Sequence, residues 1–217
     1  ISTKILTPRT FLTDLGPRQE RVDTYKELFY LHPSVFTPDA QKLREVGFDP
    51  DEPYILVRFV AFNASHDIGI KVMSDEEKIA LVNRLSKYGR VYISSEGPVP
   101  DELKDKLLKT PYHLIHHVLA FAQLVFSEGA TIAVLGVHAL YVNTIQSGST
   151  REQSERYGLL YCFHDPDERF HQAADKAVEL LETPHLVEMS QAKRRKLLEE
   201  KVDINGYFMQ EMDRLAK

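Results

Sequence analysis

Four stretches of this sequence gather side chains and backbone suited to a polar, anionic ligand. Asn63-Ala64-Ser65-His66-Asp67-Ile68-Gly69 sets a hydroxyl, an imidazole and a carboxylate at consecutive positions. Such groups can donate a proton or steady a leaving group; a turn in which Asn63 and Asp67 satisfy their own backbone explains the same residues. Ser94-Ser95-Glu96-Gly97 adds hydroxyls and a carboxylate, or is a solvated turn. Ser127-Glu128-Gly129-Ala130-Thr131 places small residues at the entry to a helix, where free amides and the positive end of the helix dipole can hold a diphosphate without any lysine. Gly129 would let the phosphate approach the backbone, although small residues at such a turn also serve packing. Asn143 to Thr150, with Ser147-Gly148-Ser149-Thr150, reads as a mobile flap or as plain linker.

These stretches acquire a common location once the elements around them are read. From Tyr54 onward, short apolar runs alternate with amphipathic ones, the pattern of strand-helix-strand units in a parallel sheet. Strands are expected at Tyr54 to Val60, Arg90 to Ser94, Leu124 to Phe126, Ala139 to Val142 and Leu159 to Phe163, with a weaker one at Tyr112 to Leu114. Ligands of open parallel sheets bind at the carboxyl ends of the strands, and each of the four stretches follows a strand. Ser74-Asp75-Glu76-Glu77 has the spacing of a capping box, opening a helix whose apolar face is Ile79, Val82 and Leu85 and which Gly89 ends. Further helices are expected at Pro100 to Leu108, at Ile115 to Ala122 and from Asp165 or Asp167 to Leu181. The tail from Val187 to Ala216 is helical and polar, interrupted around Asp203 to Gly206. Before Tyr54, Pro8, Gly16, Pro17, Pro33 and Pro38 leave one helix, opened by Thr37-Pro38 and closed by Gly47. The organisation expected is a crossover and remnant of an N-terminal domain at 1–50, a ligand-binding Rossmann-like domain at 51–186 and C-terminal helices at 187–217 that pack back toward an N-terminal half.

Charge and composition remove several function classes. With 27 Lys+Arg against 32 Asp+Glu in 217 residues, the net charge of -5 offers no basic sheath for nucleic acid or an anionic membrane. The single cysteine, Cys162, cannot form an internal disulfide and fits a reducing, cytoplasmic setting. Apolar runs such as Tyr54 to Phe62 are far shorter than the roughly 20 residues of a spanning helix, so no integral membrane segment is expected. The start, Ile1-Ser2-Thr3-Lys4-Ile5-Leu6, lacks the layout of a signal peptide and reads like the interior of a domain, as in a fragment. His116 and His117 are adjacent and face different sides of a helix, and His164, His171 and His185 lack zinc-helix spacing, so no metal is expected. No Walker lysine loop, Gly-x-Ser-x-Gly elbow or complete Gly-x-Gly-x-x-Gly fingerprint is present. Lys193-Arg194-Arg195-Lys196 is followed by Glu199 and Glu200 and reads as a solvated helical face.

Several separated strings resemble one family. Tyr25-Lys26-Glu27-Leu28 with Tyr30-Leu31-His32-Pro33, Val57-Arg58-Phe59-Val60 running into the Asn63 to Gly69 loop, Ser74 to Lys78, Ser94 to Gly97, Ile115-His116-His117, Ser127 to Thr131, Val134-Leu135-Gly136, Tyr141-Val142-Asn143 and Tyr157 to Tyr161 are similar to domain of unknown function 354. That group resembles the glycosyltransferase-B superfamily and the non-hydrolysing UDP-N-acetylglucosamine 2-epimerases. The resemblance implies two Rossmann-like halves around a sugar-nucleotide cleft, this chain being mostly the second, nucleotide-binding half. It further implies that Gly129, Ala130 and Thr131 face the diphosphate and that the His66 loop reaches the sugar or phosphate. Such enzymes carry a ribose-binding glutamate about one helical turn beyond the glycine turn; here Thr131 to Gly136 holds no carboxylate, and His138 stands where a proline is expected.

The function expected is therefore that of a sugar-nucleotide-binding domain, for a UDP-sugar, in a glycosyltransferase or sugar-nucleotide epimerase. The alternative is a non-catalytic interaction or regulatory module that keeps the fold. The expected site has His66 as catalytic donor and Ser65, Asp67, Ser95, Glu96, Glu128, Gly129, Ala130 and Thr131 on the substrate, with no cofactor. The crossover between the strands ending at Phe126 and starting at Ala139 is short for a helix and a return loop. A break in the chain is therefore expected between about Ile132 and Leu135, or else a true deletion closed by one helical turn.

Overall fold

The computed structural model of the chain describes residues 4–60, 72–128 and 133–215. Two short strands open it, β1 (Ile5–Pro8) and β2 (Gln19–Val22), paired in parallel as a sheet of their own. One helical turn, α1 (Leu28–Leu31), and a short helix, α2 (Ala40–Glu45), follow. The Asp39 carboxylate caps α2 by accepting from the amides of Gln41 and Lys42, which satisfies donors that a helix start leaves free. Only α2 was expected here, because the breakers between residues 8 and 38 hide the two-stranded sheet.

The main sheet has five parallel strands: β3 (Tyr54–Phe59), β4 (Arg90–Ser95), β5 (Leu124–Ser127), β6 (His138–Val142) and β7 (Leu160–Phe163), in the order β4-β3-β5-β6-β7. Their near-continuous apolar runs follow from burial on both sides. Alternate residues feed two cores. Tyr54, Leu56, Val125, Ala139 and Tyr141 pack with Leu28, Leu43, Val118 and Leu197 on one face. Ile55, Val57, Phe126, Leu140 and Val142 pack with Val82, Leu85, Ala173 and Ala177 on the other. The helices that cover these faces are α3 (Asp75–Leu85), α4 (Ile115–Phe121), α6 (Arg169–Leu181) and α7 (Leu186–Glu200), while α5 (Gly148–Glu155) packs on β7 and α8 (Ile204–Leu215) on α1. The capping box predicted for α3 is present, with Ser74 and Glu77 bonded reciprocally.

Several expectations are corrected. Tyr112–Leu114 is a 3-10 turn rather than a strand, and Asp101–Lys106 is 3-10 rather than α-helical; Pro100 and Pro111 sit just before each turn, where fixed φ favours a tight start. Ser147 to Thr150 is neither flap nor linker: the Ser147 and Thr150 side chains form a capping box that opens α5. Gly148 is obligatory there, since a Cβ would lie 1.9 Å from the Thr10 carbonyl oxygen. Between β5 and β6 the described residues contain no α-helix, only the 3-10 turn Ala133–Leu135, so the helix dipole invoked for this turn has no source among them. Ile132 lies outside the described residues.

That turn is gripped by α7, and the basic run is not wholly a solvated face. Arg194 Nε donates to the Val134 carbonyl at 3.0 Å, Gln191 Nε2 to the Gly136 carbonyl at 2.9 Å, and Lys193 Nζ to the Gly158 carbonyl at 2.8 Å. Gly136 has φ of 76°, and a Cβ on it would meet Arg194 Cδ at 2.6 Å. Carbonyls left open by a short connection thus find donors on the neighbouring helix, as buried backbone must. Arg195 and Lys196 remain exposed.

Candidate functional site at the sheet switch point

Renumbered along the sheet, the strand order is 2-1-3-4-5, the doubly wound order whose ligand crevice opens at the carboxyl ends of the first and third strands. Here those strands are β3 and β5. The elements that follow them pack on opposite faces of the sheet, α3 in one core and the Ala133–Leu135 turn in the other. Phe59 with Val60 and Ser127 with Glu128 therefore mark the site.

Glu128 spans this point. It is 4% exposed, and its Oε2 accepts from the Val60 amide at 2.8 Å, tying the end of β5 to the end of β3. Burial pushes its carboxyl up to about 7, although the Val60 hydrogen bond, Lys78 and Arg169 each pull the other way. Its backbone is held as well: Asn143, directly after β6, donates Nδ2 to the Glu128 carbonyl at 2.9 Å. The Asn143 carbonyl in turn accepts from His164 Nδ1 at 2.5 Å. A chain of polar contacts thus runs along the rim from β3 through β5 and β6 to the end of β7.

Charged groups surround the carboxylate. Lys78 of α3 pairs with Asp75 at 3.1 Å and stands 5.7 Å from the Phe59 ring centroid. Arg169, the first residue of α6 and 1% exposed, lies over the Phe170 ring and donates to the Pro166 carbonyl. Glu96 follows β4; its amide donates to the Phe59 carbonyl at 3.1 Å and its carboxylate pairs with Arg58 at 2.7 Å. Ser95 closes its own turn, its hydroxyl donating to the Gly97 carbonyl at 2.9 Å.

Of the residues singled out from sequence, Ser95, Glu96 and Glu128 come together on this rim, whereas Ser65, His66, Asp67, Gly129, Ala130 and Thr131 lie outside the described residues. Asn143, which opens the fourth of the post-strand stretches, joins the neighbourhood, and so do Lys78, His164 and Arg169, none of which was expected there. His164 could have been found, since it directly follows a strand. Arg169 could not, because it reaches the rim from a helix that sequence pattern assigns to the core.

A separate cavity of about 440 Å³ lies beside the start of α5, lined by Leu12, Gln146, Ser147, Arg151, Cys162 and His164 among others. Its polar groups are mostly bonded to one another, as Ser147 is to Thr150 and Arg151 to Glu155 at 2.9 Å. Burial raises the Cys162 thiol to about 11, so it is no ready nucleophile. Among the described residues no group of three or more His, Cys, Asp or Glu could hold a metal ion. No helix among them is long and apolar enough to cross a membrane.

No family model matches the chain, and no curated protein matches it. Solved structures do. A spinosyn forosaminyltransferase aligns with a TM-score of 0.56 at 16% identity, covering 98% of this chain and 55% of that one. The glycotransferase of kitacinnamycin gives 0.51 at 14%, covering 97% and 54%. The calicheamicin glycosyltransferase gives 0.50 at 19%, covering 98% and 52%. The fold is that of one half of a glycosyltransferase-B-type protein. The chain spans about half the length of the solved structures it matches.

Proposed function

We propose that this chain is the nucleotide-sugar-binding half of a glycosyltransferase or sugar-nucleotide epimerase, of the kind grouped as domain of unknown function 354, and that it takes a UDP-sugar at the β3/β5 switch point. The observation that carries the reading is the buried Glu128 bridge across the position where doubly wound sheets open their ligand crevice. The fold shared with three glycosyltransferases supports it. In this reading Gly129, Ala130 and Thr131 meet the diphosphate through backbone amides, Ser65 and Asp67 line the sugar side, and His66 donates to the leaving group. Ser95 and Glu96 border the same crevice. The proposed organisation keeps 1–50 as the crossover, 51–186 as the binding domain and 187–217 as helices returning toward an N-terminal half, which would supply the acceptor side. The proposed setting is cytoplasmic.

The other reading, a non-catalytic module on the same fold, draws support from the carboxylate-free stretch Thr131 to Gly136. Titration calorimetry with UDP separates the two. Binding by the wild-type chain that is lost in Gly129→Asp, whose added negative charge opposes a phosphate, supports the nucleotide-sugar site. Equal binding by both proteins removes the diphosphate from this turn, and no binding by either favours the interaction module.

A further inference from the structure

Glu128 poses a problem for any anionic ligand at the switch point: a buried carboxyl already ties the end of β5 to the end of β3 through the Val60 amide. Resting on the site reading above, we propose that binding of a nucleotide-sugar diphosphate takes up one proton onto the Glu128 carboxylate, which then positions the ligand as a neutral hydrogen-bond donor. The proton comes from solvent and no bond of the ligand changes. A protonated carboxyl has an O–H to offer a phosphate oxygen while its other oxygen still accepts the Val60 amide.

The surroundings of Glu128 favour this exchange. Lys78 faces it from α3 and Arg169 from α6; Glu96 faces it from the end of β4 and is paired with Arg58; β6 contributes the uncharged Asn143. Lys78 and Arg169 both have other partners, Asp75 and the carbonyl of Pro166, so neither is dedicated to neutralising Glu128. A diphosphate entering beside the carboxylate would compete for the same two cations, and like charge disfavours the ionised carboxyl. Once protonated, Glu128 releases Lys78 and Arg169 to the ligand. Burial has already brought the carboxyl to about 7, so this proton is available near neutral pH.

Calorimetry with UDP-N-acetylglucosamine tests the idea, because its diphosphate diester does not itself titrate near neutral pH. At about pH 7.5, the binding enthalpy of the wild-type chain in phosphate and in Tris should differ as expected for uptake of more than about half a proton per site. Affinity should weaken about fivefold from pH 7 to pH 8. Glu128→Gln should bind with neither buffer nor pH dependence. Wild-type binding without buffer dependence overturns the proton coupling and leaves the site reading standing. Uptake that persists in Glu128→Gln overturns the assignment to this residue. Absence of wild-type binding overturns the site reading and this proposal together.

Discussion

Lys201 and Glu128 are both chargeable and both nearly sealed from water, yet their surroundings differ in kind. Lys201, at the end of α7, has a side chain that is 1% exposed. Its ammonium donates to Asp23 Oδ1 at 2.5 Å and to Glu152 Oε2 at 2.8 Å, and it lies 4.8 Å from the Tyr25 ring centroid and 5.7 Å from that of Tyr157. The cage is tied further: Tyr25 donates its hydroxyl to Glu152 at 2.6 Å, Tyr157 donates to Glu200 at 2.9 Å, and Arg156 bridges Glu152 and Glu200. Burial alone would raise the Glu152 carboxyl, but the hydrogen bonds from Lys201 and Tyr25 hold it below its ordinary value. Glu128 has one amide donor, two shared cations and a carboxyl raised to about 7. A fully compensated buried charge fixes the junction of three chain segments; an incompletely compensated one at the end of a sheet strand is what the proposed ligand site calls for.

Breaking the compensated cage should give the largest effect. Lys201→Ala leaves Asp23 and Glu152 facing each other without their cation and opens a space between two tyrosine rings. Removing one partner of a buried pair costs about 3–5 kcal/mol, and the lower half of that range is expected because both carboxylates keep some contact with water. Urea denaturation of both proteins measures it. A loss below about 1 kcal/mol, the value of a surface pair, would mean the cage is ornamental to stability and would remove the contrast with Glu128.

The contrast sharpens with the pH dependence of Glu128. Its folded-state pKa, about 7, lies above the ordinary 4.5, so the folded chain holds the proton more tightly than the unfolded one. Stability from this group is therefore full below about pH 4.5 and is lost as pH rises through about 7. Between pH 5 and pH 8 the wild type should lose about 2–3 kcal/mol through this residue. Glu128→Gln keeps an oxygen for the Val60 amide and cannot ionise, so that portion of the slope should vanish in denaturation curves taken across the range. An unchanged slope would show that Glu128 is as well compensated as Lys201.

Much of the fold was legible because its cause is local. Buried parallel strands are apolar on both faces, so β3, β4, β5, β6 and β7 announced themselves, and the Ser74 to Glu77 box announced α3. Elements whose cause is distant did not. The α5 helix has few apolar residues, and its glycine is explained only by the Thr10 carbonyl; the grip of Arg194 and Gln191 on the Ala133–Leu135 turn depends on a helix 55 or more residues away. The candidate site was partly legible. That ligands sit after strands pointed to Ser95, Glu96 and Glu128, but which strand ends form the switch point is a matter of spatial order, and that order appears only when β5 is seen beside β3. Arg169 was hidden because a buried arginine at a helix start looks like any solvent-facing charge.

His138 tests whether weak compensation always marks a site. It is 1% exposed, stacks on Tyr161 at 5.7 Å, and neither ring nitrogen has a hydrogen-bond partner. Yet it is the first residue of β6, paired with Leu124 at the amino end of β5 and so at the opposite edge of the sheet from the rim. Burial, with Lys193 and Lys176 nearby, lowers its pKa to about 4. The unfolded chain therefore binds the proton more readily than the folded one. Its contribution to stability is full above about pH 6.5 and is lost as pH falls toward 4, the reverse of Glu128. By pH 5 the loss should be about 2 kcal/mol, and at pH 7 or above close to nothing. His138→Phe should remove that acid sensitivity, leave stability at pH 8 within about 1 kcal/mol of wild type, and leave UDP binding intact. If the variant instead weakens UDP binding while its stability holds, the opposite edge of the sheet is coupled to the switch point. Incomplete compensation would then identify functional residues without regard to where on the sheet they lie.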